Sequence, residues 1–403
     1  MAMKQTQTKL FDFSDVGLDF CAGSKNLFPD RFKKMLALGY NEQTVSSVAV
    51  TGNQVVLTYG MSHGYVADRV LKINSGALAT INSGEFWIDA VTTNTVTMTI
   101  DSAPISVAGG FTTKVASLGW ELVYENAHIH IYKFKHIDET DMYARLCFQN
   151  ATVTGNRNCI AVGVGRTVDL STGVITDENC LGDLRACATV ADATANIRWD
   201  FSASTARTYD SYTYSQGLAV FGKGMIAGSK YHIYIAASPS TSTSFCFNYG
   251  IFPLQSNYAQ LNYPALLAAN NGASTGGIGT NSASTNRVYV GKIQCLCSGT
   301  NASSAFKSSI GTTSYYPSEI DGFNTTGCFP VFVSTLAEGQ PVGWIEGGLY
   351  QVAYSNSGYP SITNSTSPSI TSDVDFNSNV LLHHIGSGVI WLCSPIEEIG
   401  YGS

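Results

Sequence analysis

With 403 residues the chain is long enough for two or three β-domains with real hydrophobic cores. Its 22 Lys and Arg against 29 Asp and Glu leave a formal net charge of -7, which argues against an electrostatic grip on nucleic acid or anionic lipid. Charged residues make up only 13% of the chain, below the roughly 25% usual for soluble domains. Low charge with 39 Gly and abundant Ser, Thr and Asn suits a β-protein partly covered by other subunits, or one exposed outside a cell; a merely polar β-rich surface would read the same.

Residues 1–26 form a polar N-terminal arm punctuated by Phe11, Phe13 and Phe20. Such an arm is either a flexible lead-in or a segment that docks on a neighbour. Its start, MAMKQTQTKLFDF, has no apolar core of signal length, and no segment reaches the roughly 18 apolar residues of a membrane span. The expectation is a protein made in the cytosol and kept there or carried out within a larger particle. Residues 26–38, NLFPDRFKKMLAL, predict a short helix with Pro29 and Asp30 near its start, Leu27, Phe32, Leu36 and Leu38 toward a core, and Gly39 as its stop.

The stretch 45–100 carries the clearest pattern. Residues 45–50 lead into a turn at Thr51-Gly52-Asn53, because Gly tolerates positive φ and Asn bonds its own backbone. QVVLTY (54–59) is a second strand, residues 60–64 break it, and VADRVLKINS offers Val66, Val70 and Ile73 to a core with Lys72 left wet. Asn82-Ser83-Gly84 is a turn, residues 85–91 alternate with one imperfect step, Thr92-Thr93-Asn94 turns again, and residues 95–100 alternate strictly. About five short strands joined by tight turns make a small barrel or sandwich, since a one-sided strand must bury its apolar face.

Beyond Ile100 the β-pattern resumes, with Gly109-Gly110 as a bend. HIHIYKFK (128–135) alternates, so His128 and His130 share a face; two ligands fall short of a zinc set, and ordinary hydrogen-bonded histidines are the preferred reading. Asp138, Glu139 and Asp141 form an acidic turn whose spacing does not match a calcium loop. YARLCFQ and CIAVGVG read as strands; Gly163-Val164-Gly165 is no nucleotide loop, because Val168 stands where the last glycine would be. Residues 207–216, RTYDSYTYSQ, read as a loop or linker with aromatic anchors. KYHIYIAA and TSFCFNY are paired strands, and RVYVGKIQCLC (287–297) reads as one strong strand with Cys295 and Cys297 on one side, a spacing that supports neither redox exchange nor zinc. Further strands are expected at 329–333, at 344–352 and in two apolar runs of 379–392, where adjacent His383 and His384 diverge. The segments near 270–286 and 355–375, rich in Ser, Thr and Asn, are expected as long exposed loops. The ten cysteines read as small buried apolar groups rather than as a disulfide framework.

There is no GxSxG elbow, HExxH, phosphate loop or obvious glycosidase carboxylate pair, and no cofactor or metal is expected. The stretch HGYVADRVLKINSGALATINSGEFWIDAVTTNTVTMTI resembles a small β-domain of phage tail and baseplate proteins, where the succession runs HGY, V, I, L-N-G, V-T-V. The likeness takes in the approach FKKMLALGYNEQTVSSVAV, continues through Leu118-Gly119-Trp120-Glu121 and the ARLCF strand, where relatives carry an LRVDD run, and thins out at KYHIYIA and YVGKI. The chain departs from it at Asn82-Ser83-Gly84, in lacking the acid pair after ARLCF, and in its many cysteines.

The resemblance implies a non-enzymatic virion structural protein, tail or baseplate associated, made in the host cytoplasm. Its partners would be other phage structural proteins and copies of itself in a symmetric ring. The assembly residues it points to are Phe11, Phe13 and Phe20 in the arm, with Tyr209, Tyr212 and Tyr214 as further anchors; these rings could equally fill a crevice of the chain itself. A receptor-binding tail-tip protein gripping a host-surface glycan through the two long loops, a capsid or collar decoration protein, and an envelope-degrading enzyme are the competing readings. The expected fold is mainly β: the arm (1–26), a short helix plus small β-barrel or sandwich (27–108), and one or two larger β-sandwich-like domains (109–403).

Overall fold

The structure is a computed structural model and describes residues 8–150, 158–190, 197–201, 209–238, 247–270, 286–297, 327–353, 368–371, 380–384 and 390–396. The chain is mainly β. Most of the two expected long loops, 271–285 with 354–367 and 372–379, lies outside the described residues, and the strand Ser369–Thr371 falls within the second.

The helix starts at Phe28 with Pro29 in its first turn, where a missing N–H costs nothing. After Lys33 it widens into a π-helical turn, Lys34–Leu38, closed by the Gly39 N–H donating to Lys34 O at 2.8 Å. That widening rotates Met35 and Leu36 inward and leaves Leu38 50% exposed, so Leu38 is not the core residue its spacing predicts. Gly39 is required: its φ is +76°, and a Cβ there would sit 2.4 Å from Val115 O.

Residues 40–115 roll into a small barrel. The strands Tyr40–Thr51 and Gln54–Tyr59 form a hairpin about Gly52 and Asn53, with Thr51 opposite Gln54. Thr95–Thr99 pairs with the outer side of Gln54–Tyr59. Thr112–Val115 lies between Tyr40–Thr51 and Val70–Ile73, so the sheet extends past residue 108. The barrel closes through one run of chain: Glu85–Trp87 pairs with Val70–Ile73, and Ala90–Val91 pairs with Thr95–Thr99. Alternation then sends Val55, Leu57, Leu71, Ile73, Phe86, Ile88, Val96 and Met98 inside, all at most 1% exposed, while Val66 stays 42% exposed outside the strand.

The second sheet has fifteen described strands, and every pairing is antiparallel. From one end it runs Glu121–Asn126, Ile129–Lys135, Asp141–Phe148, Cys159–Gly165, Ile197–Asp200 and Ala265–Asn270. There it forks. One branch continues through Asn286–Val290, Ile293–Cys297, Phe332–Thr335, Pro341–Ile345 and Leu254–Ser256; the other through Phe247–Phe252, Ile233–Ala237, Gly224–Gly228 and Lys9–Asp12. RVYVGKIQCLC is thus a hairpin rather than one strand, turning at Gly291 (φ +57°) and Lys292 with Val290 opposite Ile293.

The strands expected near 329–333 and 344–352 divide between sheets. Phe332–Thr335 and Pro341–Ile345 stay in the large one, whereas Gly327–Pro330 and Tyr350–Ala353 join Ile390–Pro395, Val380–His384 and Ser369–Thr371 in a five-stranded sheet. Among the described residues no helix is long and apolar enough to cross a membrane.

Candidate functional site

Residues 8–26 do not form a free arm. Lys9–Asp12 completes one branch of the large sheet, with Phe11 opposite Ile226 on Gly224–Gly228. The chain then doubles back: the Phe13 N–H donates to Gly224 O at 3.0 Å and the Phe20 N–H to Phe13 O at 3.1 Å. Phe13 and Phe20 stack at 4.1 Å, and Phe28 meets Phe20 edge-on at 5.3 Å and Phe201 at 4.7 Å, geometries that aromatic quadrupoles favour. Phe11, Phe13 and Phe20 are at most 1% exposed. Burial of each such ring is worth ~1.5–3 kcal/mol. Turning them out toward a neighbour would forfeit that, so these rings fill the crevice of their own chain and present no face for assembly.

Three glycines make the fit. A Cβ on Gly224 would lie 2.3 Å from the Phe13 ring, one on Gly217 would lie 2.2 Å from Cys21 Sγ, and one on Gly23 would lie 2.4 Å from Phe221. The helix Tyr214–Phe221, which supplies two of these contacts, sits where a loop was expected. Thr213 starts it with a capping box to Gln216, which offsets the cost of Gly217 in a helix interior.

Tyr209, Tyr212 and Tyr214 are half-buried against the same junction. Tyr209 packs edge-on against Tyr212 at 5.1 Å and Phe221 at 5.2 Å. Their backbone is tied to the N-terminal segment: the Tyr214 N–H donates to Asp19 Oδ1 at 3.0 Å, Ser24 Oγ to Tyr212 O at 2.6 Å, and the Asn26 N–H to Asp210 O at 3.0 Å, beside a Lys25–Asp210 ion pair. The two groups of aromatic residues singled out as assembly anchors therefore share one internal junction.

A buried ionic cluster fixes the barrel to this junction. Asp15 accepts two hydrogen bonds from Arg69, Nε at 2.8 Å and Nη2 at 2.9 Å, one from Tyr40 Oη at 2.7 Å, and one from the Asp12 N–H at 3.1 Å. Asp15 and Arg69 are 8% and 5% exposed. Burial opposes the Arg69 charge, but the Asp15 carboxylate outweighs it and raises the pKa. Burial first and Asp15 second raise the Asp12 pKa, partly offset by Ser14. Nearby, Lys9 Nζ bonds Glu85 Oε2 of the barrel at 2.8 Å and Ser117 O at 2.6 Å. Residues 54 positions apart carry this cluster, so no local pattern announces it; the one hint is a charged Asp68-Arg69 immediately before an apolar strand.

The remaining candidates disperse. His130 Nδ1 bonds Tyr132 Oη at 2.9 Å while His128 Nε2 bonds Ala188 O at 2.7 Å, so the pair does not converge. Asp138 holds Thr140 and Asn262, and Glu139 holds Lys230 and Tyr231. Among the described residues no three His, Cys, Asp or Glu side chains gather as a metal set. His63-Gly64-Tyr65 has a structural part: His63 Nδ1 accepts the Tyr65 N–H at 2.9 Å, Gly64 has φ +69°, and Tyr65 Oη donates to Asn41 O at 2.8 Å, pinning one end of the barrel. No protein-family model, curated protein or solved structure matches the chain.

Proposed function

We propose that the chain is a non-enzymatic structural component of a bacteriophage virion, associated with the tail or baseplate. The observation that carries this reading is the junction itself. The N-terminal segment, the barrel and the large sheet are joined by buried aromatic rings and a buried ion pair, so the described charges at the chain's centre hold segments together instead of converging on a cleft. The likeness of residues 32–149 to a tail and baseplate β-domain supports the same reading. Assembly contacts on this account come from surfaces other than Phe11, Phe13 and Phe20, whose rings face inward.

Electron microscopy of purified virions, with density assigned to this chain, tests the proposal. Density in a symmetric ring at the tail or baseplate supports it. Absence of the chain from purified virions overturns it, and density at a distal tip with residues 271–285 outward would transfer the reading to receptor binding.

A further inference from the structure

The two halves of the barrel wall differ in what they turn outward. On the half formed by Val70–Ile73, Glu85–Trp87 and Thr112–Val115, Lys72 stands beside Glu85 on one neighbouring strand and Lys114 on the other. Glu85 also reaches Lys9 of the N-terminal segment at 2.8 Å, so this charged half is tied to the rest of the chain. On the other half Tyr40–Thr51, Gln54–Tyr59, Thr95–Thr99 and Ala90–Val91 lie side by side. Burial of Val55, Leu57, Val96 and Met98 fixes which alternate positions face out. Those outward positions, in 47–51, 54–58 and 95–99 and at 90, hold only Ser, Thr, Ala, Val and Gln. Ala49, Val56, Thr97 and Ala90 make one row across four strands, and Thr95, Thr97 and Thr99 a ladder along one of them. Charge returns at the rim, where Glu42 is exposed and Asp89 accepts a hydrogen bond from Thr99 Oγ1 at 2.8 Å.

Such a face fits an identical copy of itself. The chain carries a net charge of -7, so two copies repel where acidic groups meet, and an uncharged face removes that repulsion at the point of contact. A charged patch fits only its opposite, whereas a hydroxyl both donates and accepts, so a threonine row can pair with the same row related by a two-fold axis. Val56 and the threonine methyls add apolar surface to withdraw from water. The barrel is closed, so contact runs through side chains, sheet against sheet at ~10 Å, and not through a strand edge. Beyond the Thr58–Thr95 pair the chain runs on to Met61, which is 71% exposed and offers an adaptable apolar side chain at the margin of the face. Four residue steps and three strand spacings make the face ~14 Å by ~14 Å. That is well below the ~800 Å² each partner buries in a stable dimer, so the contact is weak between two free chains and gains strength where many copies are held side by side.

We propose that the uncharged half of the barrel wall is a contact surface between two copies of this chain. The copies pack face to face about a two-fold axis that lies in the interface plane and passes by the Val56–Thr97 pair, so Thr97 of one copy meets Thr97 of the other. The contact does not depend on the virion reading: a chain absent from virions could still pair this way, and a virion protein could assemble through another surface.

The test is sedimentation equilibrium of the purified full chain from ~10 μM to ~500 μM, with methyl NMR spectra recorded across the same range. The expected result is a reversible monomer–dimer equilibrium with a dissociation constant on the order of 100 μM. The methyl signals of Ala49, Val56, Ala90 and Thr97 should shift with concentration. Thr97→Lys sets two like charges across the axis and should weaken pairing ~10-fold or more, and Thr97→Glu should do the same. Mixing the two variants should restore pairing, which variants that merely failed to fold would not do. Lys114→Gln, on the charged half, should leave the dissociation constant unchanged. A monomer throughout the range overturns the proposal. So does a dimer whose shifting methyls lie elsewhere, or a Thr97→Lys chain that pairs as well as the unaltered one.

Discussion

The barrel and the large sheet solve the same burial problem in different ways. In the barrel, strands such as Gln54–Tyr59 and Thr95–Thr99 alternate between a buried inner face and a wetter outer one, and closure comes from one run, 85–91, shared between two strands. In the large sheet, Gly224–Gly228, Ile233–Ala237 and Phe247–Phe252 are buried on both faces, and Gly224–Gly228 finds its last partner more than two hundred residues away, at Lys9–Asp12. The barrel can hold its own register; the large sheet depends on a distant segment to cover an edge, and that segment is also what grips the barrel.

The sharpest way to break this dependence is to unpair the cation between the two parts. Asp15→Ala leaves Arg69 buried without its carboxylate and also deprives Tyr40 and the Asp12 N–H of their acceptor. A loss of ~3–5 kcal/mol in urea unfolding is expected, partly relieved by ionisation of Asp12, whose pKa the Asp15 charge had helped to raise.

Acid separates the two regions by a second route. Burial lowers the His130 pKa to about 4 and the His232 pKa to about 3, and both lie in or beside the large sheet; that of His63, in the barrel, is lowered by a smaller amount. These residues are neutral when folded and take up protons at higher pH when unfolded, so the stability they confer is complete above pH ~6.5 and drains away as the pH falls toward 4. Asp12, with its raised pKa, works in the opposite direction. The two histidines together would lose on the order of 6 kcal/mol by pH 4, less whatever Asp12 returns, seen first in large-sheet amides by hydrogen exchange. Barrel amides that open first would reverse the comparison.

Smaller perturbations sharpen it. Gly224→Ala forces a methyl into the Phe13 ring, and an overpacking loss of ~1–3 kcal/mol is expected in urea unfolding. Thr213→Ala removes the capping box of Tyr214–Phe221 and should cost ~1 kcal/mol in the same assay.

What could be read in the sequence follows the same division. The hairpin at Gly52-Asn53 and the turn at Thr92-Thr93-Asn94 lie within a few residues of their partners, so local chemistry specifies them, and the strict alternation of Thr95–Thr99 shows its buried face even though Gln54–Tyr59, with which it pairs, lies far back in the chain. Phe11 and Phe13 read as surface anchors because their partners, Ile226 and Gly224, lie more than two hundred residues away, and Phe20 in turn stacks on Phe13. The helix at Tyr214–Phe221 was hidden by Gly217, a poor helix former that is there because Cys21 Sγ occupies the space of its Cβ. The Asp15–Arg69 pair leaves no periodicity at all.

Whether residues 8–26 are a clasp of their own chain or an arm for a neighbour is decided most directly by native-state hydrogen exchange on the isolated monomer. The amides of Phe13 and Phe20, bonded to Gly224 O and Phe13 O, should exchange as slowly as those of Ile233–Ala237, through one shared cooperative opening. Exchange at the rate of an unfolded chain in the monomer, with protection appearing only in assembled particles, would contradict the clasp and restore the arm.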